Sequence, residues 1–260
     1  MDRREVIRAE AERLADVVAS AAPDTMVPTC PEWTVRDLLW HLAEVHDFWA
    51  RILSDDVRDE AGVAAIEASK PTRPDDLDGL LALRTDATAR LLAALDQLDD
   101  GEPRWTWWPP DQTVGFTRRM QTYEATMHRI DAELAAGIDV TPIAPDVAAG
   151  AVDHVIDVMW GWMPDWATYA PLAVAEFRAV DTDDTWLVEI GHWFGVGPES
   201  GNEFDMPRAV RAGGGEPTVQ VIAPVEQLAR WAWTRDGRAD IEGVPAAVDV
   251  VGALIANGIQ

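Results

Sequence analysis

The 260-residue chain has one cysteine, Cys30, and one lysine, Lys70. A single cysteine cannot close an internal disulfide, which excludes a disulfide framework and, with it, a cysteine-based zinc knuckle. Any resident metal must therefore be held by His, Asp or Glu. Basic residues are scarce: 21 Lys plus Arg stand against 46 Asp plus Glu, a formal charge of −25. Nowhere are more than two basic residues adjacent (Arg3-Arg4, Arg118-Arg119). A nucleic-acid binder needs cationic side chains to displace the counterions condensed on phosphate, so DNA, RNA and anionic membrane surfaces make poor partners. No apolar run approaches the roughly 20 residues that span a bilayer, and Met1-Asp2-Arg3-Arg4-Glu5 does not open a signal peptide, so the expectation is a cytoplasmic protein. There is no internal repeat and no low-complexity tract.

What is present is an ordinary globular balance, 48% hydrophobic and 26% charged, with a real core to bury. The preference for arginine over lysine reads as codon bias of a GC-rich genome rather than as chemistry. Thirteen tryptophans are many for this length. Three of them fall in Arg104-Trp105-Thr106-Trp107-Trp108-Pro109-Pro110, a proline-stopped segment that is not helical. It is either a loop folded over the core or an aromatic wall of a pocket.

The first half reads as long helices. Ile7, Leu14, Val17 and Val18 recur at helical spacing between Arg3 and Ala21. After Pro28 and Pro31, Thr34 offers an N-cap with Asp37 as its capping partner, and a second helix runs to about Leu53. A third, carrying Leu77, Leu80, Leu81, Leu91, Leu92, Leu95 and Leu98, covers about Asp76 to Leu98. A fourth runs from about Thr113 to Ala136, with a stripe of Phe116, Met120, Tyr123, Met127, Ile130 and Leu134, and stops at Gly137. Pro145-Asp146 opens a fifth, to about Met159. Four of the five have the length and one-sided apolar face of an antiparallel bundle, in which side chains on facing helices build sites.

Beyond Met163-Pro164-Asp165 the pattern changes. Leu172 to Val180, Trp186 to Ile190 and Thr218 to Ile222 read as strands. A helix from about Val225 to Thr234, a short strand around Ala239 to Glu242 and a helix from Pro245 to Ala256 complete the chain. The expected fold class is an all-α four-helix bundle over residues 1–165, followed by a smaller α+β domain over 166–260.

Candidate chemistry sits on the second and fourth helices. His41 and His46 flank the face formed by Leu38, Leu42, Val45, Trp49 and Ile52. Five residues apart, they cannot easily chelate one ion. Either could instead be a hydrogen-bonded core histidine. Glu124 and His128, four apart, share a helix face, and Asp131 follows on the same flank. Alone they would suit a solvent-exposed pair. With one histidine from the second helix they supply two imidazoles and a carboxylate, a set that suits zinc with an open position. Asp131 would then orient a ligand or merely solvate the surface.

Cys30-Pro31-Glu32-Trp33-Thr34-Val35-Arg36-Asp37-Leu38-Leu39-Trp40-His41-Leu42, followed by Glu124-x3-His128-x2-Asp131, resembles the mycothiol-dependent maleylpyruvate isomerase family, whose N-terminal half is a DinB-like metal-dependent bundle. The resemblance implies that His41, Glu124 and His128 bind a divalent metal, usually zinc, and that His46 is structural. It extends through Pro145 to Met159, although Gly150 and His154 stand where acidic residues are common. It continues more weakly into a second domain similar to the family's sterol-carrier-like one. There Leu228-Ala229-Arg230-Trp231-Ala232-Trp233-Thr234-Arg235 resembles a segment usually ending Gly-Arg, with Thr234 in place of the glycine. Arg235 is the candidate for a catalytic role, holding a substrate carboxylate, and its alternative is a surface ion pair.

The implied partners are mycothiol, a low-molecular-weight thiol, and an electrophilic small molecule; the oligomeric state, monomer or dimer, stays open. A metal that stabilises thiolate over thiol would serve an isomerase or a thiol S-transferase equally. A metal hydrolase and a non-catalytic binding module of the same fold are the rival readings. Cys30 is expected to pack as a small hydrophobe, the reactive sulfur coming from the cofactor.

Overall fold

The computed structural model describes residues 1–259, which form two compact units, Met1–Thr141 and a second beginning at Pro142. The sequence pattern places the boundary near residue 165. The fifth helix instead belongs with the second unit, because its apolar residues pack on a helix of that unit.

In the first unit, α1 (Arg3–Ser20), α2 (Val35–Ser54), α4 (Leu77–Gln97) and α5 (Val114–Ala136) are long, and α3 (Glu60–Glu67) is short. Each long helix starts at a side chain that accepts from orphaned backbone N–H groups: Asp2, Thr34, Asp76 and Thr113. At Thr34 the capping box with Asp37 is complete. Gly137, at φ 66°, closes α5 in the left-handed conformation that glycine adopts without steric cost.

Packing departs from a simple antiparallel order. Arg3 donates to Tyr123, Arg129 to Glu10 and Arg13 to Glu133, so α1 and α5 run parallel. Leu38 and Leu42 share a core with Leu80, while Ile52 and Leu53 share one with Leu91 and Leu95, so α2 and α4 also run parallel. A parallel pair needs a connection long enough to bring the chain back to its starting end, and the segment carrying α3 provides it. α3 is too short and alanine-rich to stand out by periodicity. α5 is buried on nearly every side from Gln121 to Glu133, broader than the stripe its hydrophobic residues suggest. Its polar interior is paired: Arg129 reaches Glu10, Glu133 and the Thr141 carbonyl.

Met26–Val27 (β1) and Cys30–Thr34 (β2) form a small hairpin before α2. Cys30 is partly buried against the core there. The tryptophan-rich loop folds onto the core: Trp105 stacks on Trp49 at 6.0 Å, Trp107 packs on Phe116, and buried Arg104 donates to the Leu53 carbonyl.

In the second unit, α6 (Pro145–His154) continues as a π-helical turn, Val155–Met159. A five-stranded sheet follows in the order β5-β4-β3-β6-β7, formed by β3 (Thr168–Ala179), β4 (Thr185–Val196), β5 (Glu203–Arg211), β6 (Val219–Ala223) and β7 (Asp240–Gly243). β6 pairs parallel with β3, and the other neighbours are antiparallel. Alternate residues Ala175, Phe177, Val188, Ile190, Val219 and Val221 are buried. Trp160 and Trp231 pack edge-on against Phe177. α7 (Val225–Ala232) lies on α6, and α8 (Pro245–Asn257) on β3 to β5. β5 escapes a sequence reading because Pro207 interrupts the short alternation of Glu203 to Met206, and an edge strand tolerates such a proline. No helix of the described residues is long and apolar enough to cross a membrane.

Candidate metal centre

The antiparallel crossing of α2 and α5 brings His41 against Glu124 and His128. Glu124 Oε1 lies 3.0 Å from His41 Nε2 and 3.1 Å from His128 Nε2. One nitrogen or oxygen from each residue falls within a sphere in which all separations are 4.8 Å or less. Two imidazoles and a carboxylate converging on one point are the donor set that zinc accepts, with a position left for a further ligand.

Behind the cluster, His128 Nδ1 is 2.8 Å from Asp131 Oδ2, and Thr29 donates its hydroxyl to the other Asp131 oxygen. Asp131 is fully buried, so it is no surface carboxylate. It fixes the ring so that Nδ1–H points to Asp131 and Nε2 faces Glu124. Thr29 carries no signal in the sequence, because its role depends on the β1–β2 hairpin reaching α5. Trp33, from the same hairpin, lies over the His41 ring at a centroid distance of 4.7 Å and 6.1 Å from that of His128. Side-chain exposure falls from 28% at His41 through 14% at Glu124 to 9% at His128, so the cluster opens on the His41 side.

Burial alone would push the Glu124 carboxyl up and the His128 imidazole down. Their mutual charge and hydrogen bonds outweigh it. Glu124 is held well below the usual carboxylate range by His128 and His41, and His128 is raised to about 9 by Glu124 and Asp131. Glu124 and His128 form a buried salt bridge.

His46 does not join the cluster. It is fully buried, with Nδ1 2.9 Å from the Thr88 hydroxyl, and burial lowers its pKa to about 3, leaving it neutral. Arg235 lies in the second unit, where its guanidinium donates to the Trp233 carbonyl at 2.6 Å. Thr234 and Asp236 on either side of it have φ of 58° and 55°. Thr234 thus stands in the left-handed region that a glycine would occupy without strain. Gly237, just beyond, allows a close turn: a Cβ there would meet the Trp231 nitrogen at 2.1 Å.

The class so defined is a two-unit protein: a helical unit whose His-Glu-His group is able to hold a divalent ion, followed by an α+β unit. Residues 5–133 match the family described as the mycothiol maleylpyruvate isomerase N-terminal domain, and the chain belongs to that family. Two solved structures of mycothiol-dependent maleylpyruvate isomerase share the fold. One, of a His-to-Ala variant, has a TM-score of 0.58 at 13% identity, and the other 0.55 at 15%. Each alignment covers 94% of this chain and 94% of the other. No curated protein matches the chain.

Proposed function

We propose that the chain is a mycothiol-dependent metalloenzyme acting on an electrophilic small molecule, as an isomerase or a thiol S-transferase, with His41, Glu124 and His128 holding a divalent metal, zinc by donor type. The observation that carries this reading is the convergence of those three ligand atoms within 4.8 Å, in a chain whose first half belongs to the mycothiol isomerase family. On this reading the helical unit is a DinB-like four-helix bundle and the second unit is sterol-carrier-like.

A bound divalent ion supplies the positive charge that favours thiolate over thiol, and thiolate is the competent nucleophile. The protein's own residues do the rest. Glu124 enters ionised, and Asp131 keeps the His128 proton on Nδ1 so that Nε2 is available as a ligand. Trp33 covers the His41 ring and limits water at the open side. Arg235 is assigned to hold a substrate carboxylate through its planar fork of donors. Isomerisation and S-transfer share the same activation and differ only in whether the substrate is released from sulfur.

The test is turnover of a panel of electrophiles by the zinc-loaded chain with and without mycothiol. Thiol-dependent turnover is expected. Thiol-independent hydrolysis would make the chain a hydrolase, and no turnover at all would make it a binding module. Separately, metal analysis of His128→Ala should show loss of the ion, and stoichiometric retention would overturn the ligand assignment.

A further inference from the structure

On β4, Trp186, Val188 and Ile190 are buried on one face of the sheet, where Trp186 Nε1 donates to Asp153 of α6. β4 and β5 pair without a register shift from Val188 to Val196, so His192, Phe194 and Val196 continue on that same face. Beyond Ile190 the face opens to solvent: Phe194 is 39% exposed and Val196 58%. These side chains, with Ala170 of β3 paired to His192, line a groove of about 650 Å³. Its size falls within the roughly 300 to 1,000 Å³ of small-molecule sites.

The other wall of the groove is acidic. Asp205 stands opposite Phe194 and Glu203 opposite Val196. On the edge strand two carboxylates, roughly 7 Å apart, therefore run beside two exposed apolar side chains of the neighbouring strand. His192 Nδ1 donates to Asp205, which ties the imidazole to the acidic wall, and the His192 ring lies 5.2 Å from that of Phe194. No Lys or Arg is among the described residues that line the groove. Charges on an edge strand discourage pairing with another chain, and in a chain with 46 acidic residues that need alone could explain Glu203 and Asp205. It does not explain why they share a groove with exposed Phe194 and Val196, an apolar patch rimmed by polar groups of the kind that marks a binding site.

We propose that this groove of the α+β unit binds a small organic ammonium ion with a short apolar body, an aromatic or aliphatic primary amine. The ammonium lies against the carboxylates of Asp205 and Glu203, where charge-assisted hydrogen bonds hold it. Its hydrocarbon covers Phe194 and Val196, and the Phe194 ring face adds cation–π attraction. A carboxylate or phosphate would meet only charge of its own sign. A divalent ion finds too few ligands, because no third His, Cys, Asp or Glu among the described residues joins His192 and Asp205 at metal-binding distance. The proposal rests on neither the metal cluster nor the enzymatic reading and stands or falls independently of both.

The test is an NMR titration of the full chain at pH 7 and fixed ionic strength with 2-phenylethylammonium, reading the His192 ring and the amides of residues 192–196. Three comparison probes are 3-phenylpropan-1-ol, 3-phenylpropanoate and methylammonium. Saturable shifts with 2-phenylethylammonium are expected, at an affinity about tenfold or more above both the alcohol and methylammonium, with no saturable shift from 3-phenylpropanoate. Methylammonium carries the charge without the apolar body, so it separates the groove from the general field of a chain of charge −25. Glu203→Gln combined with Asp205→Asn should bring the amine down to the level of the alcohol, and Phe194→Ser should weaken both. Any of five results overturns the proposal: no saturable shift with 2-phenylethylammonium, equal affinity for the amine and the alcohol, tighter binding of the anion, methylammonium as effective as the aromatic amine, or amine binding unchanged without the two carboxylates. Should the variants fail to fold, the ranking of the four probes on the unmodified chain still decides the matter.

Discussion

Removing the metal should turn the His41–Glu124–His128 cluster into a proton trap, with a measurable pH signature. In the metal-free chain His128 has a pKa of about 9 against an ordinary 6.5. The folded state therefore holds this proton more tightly than the unfolded chain does. The resulting stabilisation is fully present below pH 6.5 and is lost as the pH rises through about 9. The difference is worth about 3 kcal/mol, from roughly 1.4 kcal/mol per pH unit. His46 has the opposite sign: its folded-state pKa of about 3 lies below 6.5, so the unfolded chain takes up this proton first and stability falls as the pH drops below 6.5. Metal-free stability should thus peak near pH 6.5. Zinc must displace the His128 proton, so its affinity should rise about tenfold per pH unit between 6.5 and 9 while one proton is released per ion bound. The assay is urea unfolding of chelator-treated protein from pH 6 to 10, with calorimetric zinc titrations in buffers of different ionisation enthalpy. His128→Gln should flatten the alkaline limb. A metal-free stability that is level or rising from pH 6.5 to 9, or zinc binding without proton release, refutes the reasoning.

Asp131→Asn keeps an acceptor for His128 but removes its charge, so zinc affinity should fall about tenfold with the fold intact; chelator competition measures it, and an unchanged affinity counts against Asp131 as the orienting group. Arg129→Met leaves Glu133 and Glu10 without their shared cation, and Glu133 has no exposed side chain. The expected loss is about 3 to 5 kcal/mol in urea unfolding, and a loss under about 1 kcal/mol would show that Arg13 and Thr141 suffice. Thr234→Gly relieves a left-handed threonine at about 1 to 2 kcal/mol, offset by glycine's extra chain entropy of about 0.5 to 1 kcal/mol. A slightly raised thermal midpoint is expected, and a lowered one would show that the Thr234 hydroxyl, which donates to the Trp233 carbonyl, outweighs the strain.

Much of the helical unit is legible in one dimension because its cues are local. Thr34 with Asp37, Thr113 and Gly137 mark helix ends through hydrogen bonds that reach three or four residues, and Glu124 with His128 share a face by helical period alone. The resemblance carried by Cys30 to Leu42 and Glu124 to Asp131 adds the choice of His41 over His46, which spacing leaves open.

Other features depend on contacts between distant segments. The parallel course of α2 and α4 follows from where α3 returns the chain, and β5 exists because β4 offers it an edge. Asp131 could equally have faced solvent by its sequence; Thr29, 102 positions away, makes it part of the interior. Arg84 reads as one more helix-forming residue between leucines, and only the packed unit shows its side chain largely buried, close enough to Glu12 and Asp16 for their charges to act on it. Composition, helical period and capping chemistry determine the elements of this protein and its candidate ligands, because each is a short-range property of the chain. Burial, charge pairing and the meeting of His41 with Glu124 are decided by the tertiary structure, because desolvation and hydrogen-bond geometry exist only once separate helices exclude water from between them.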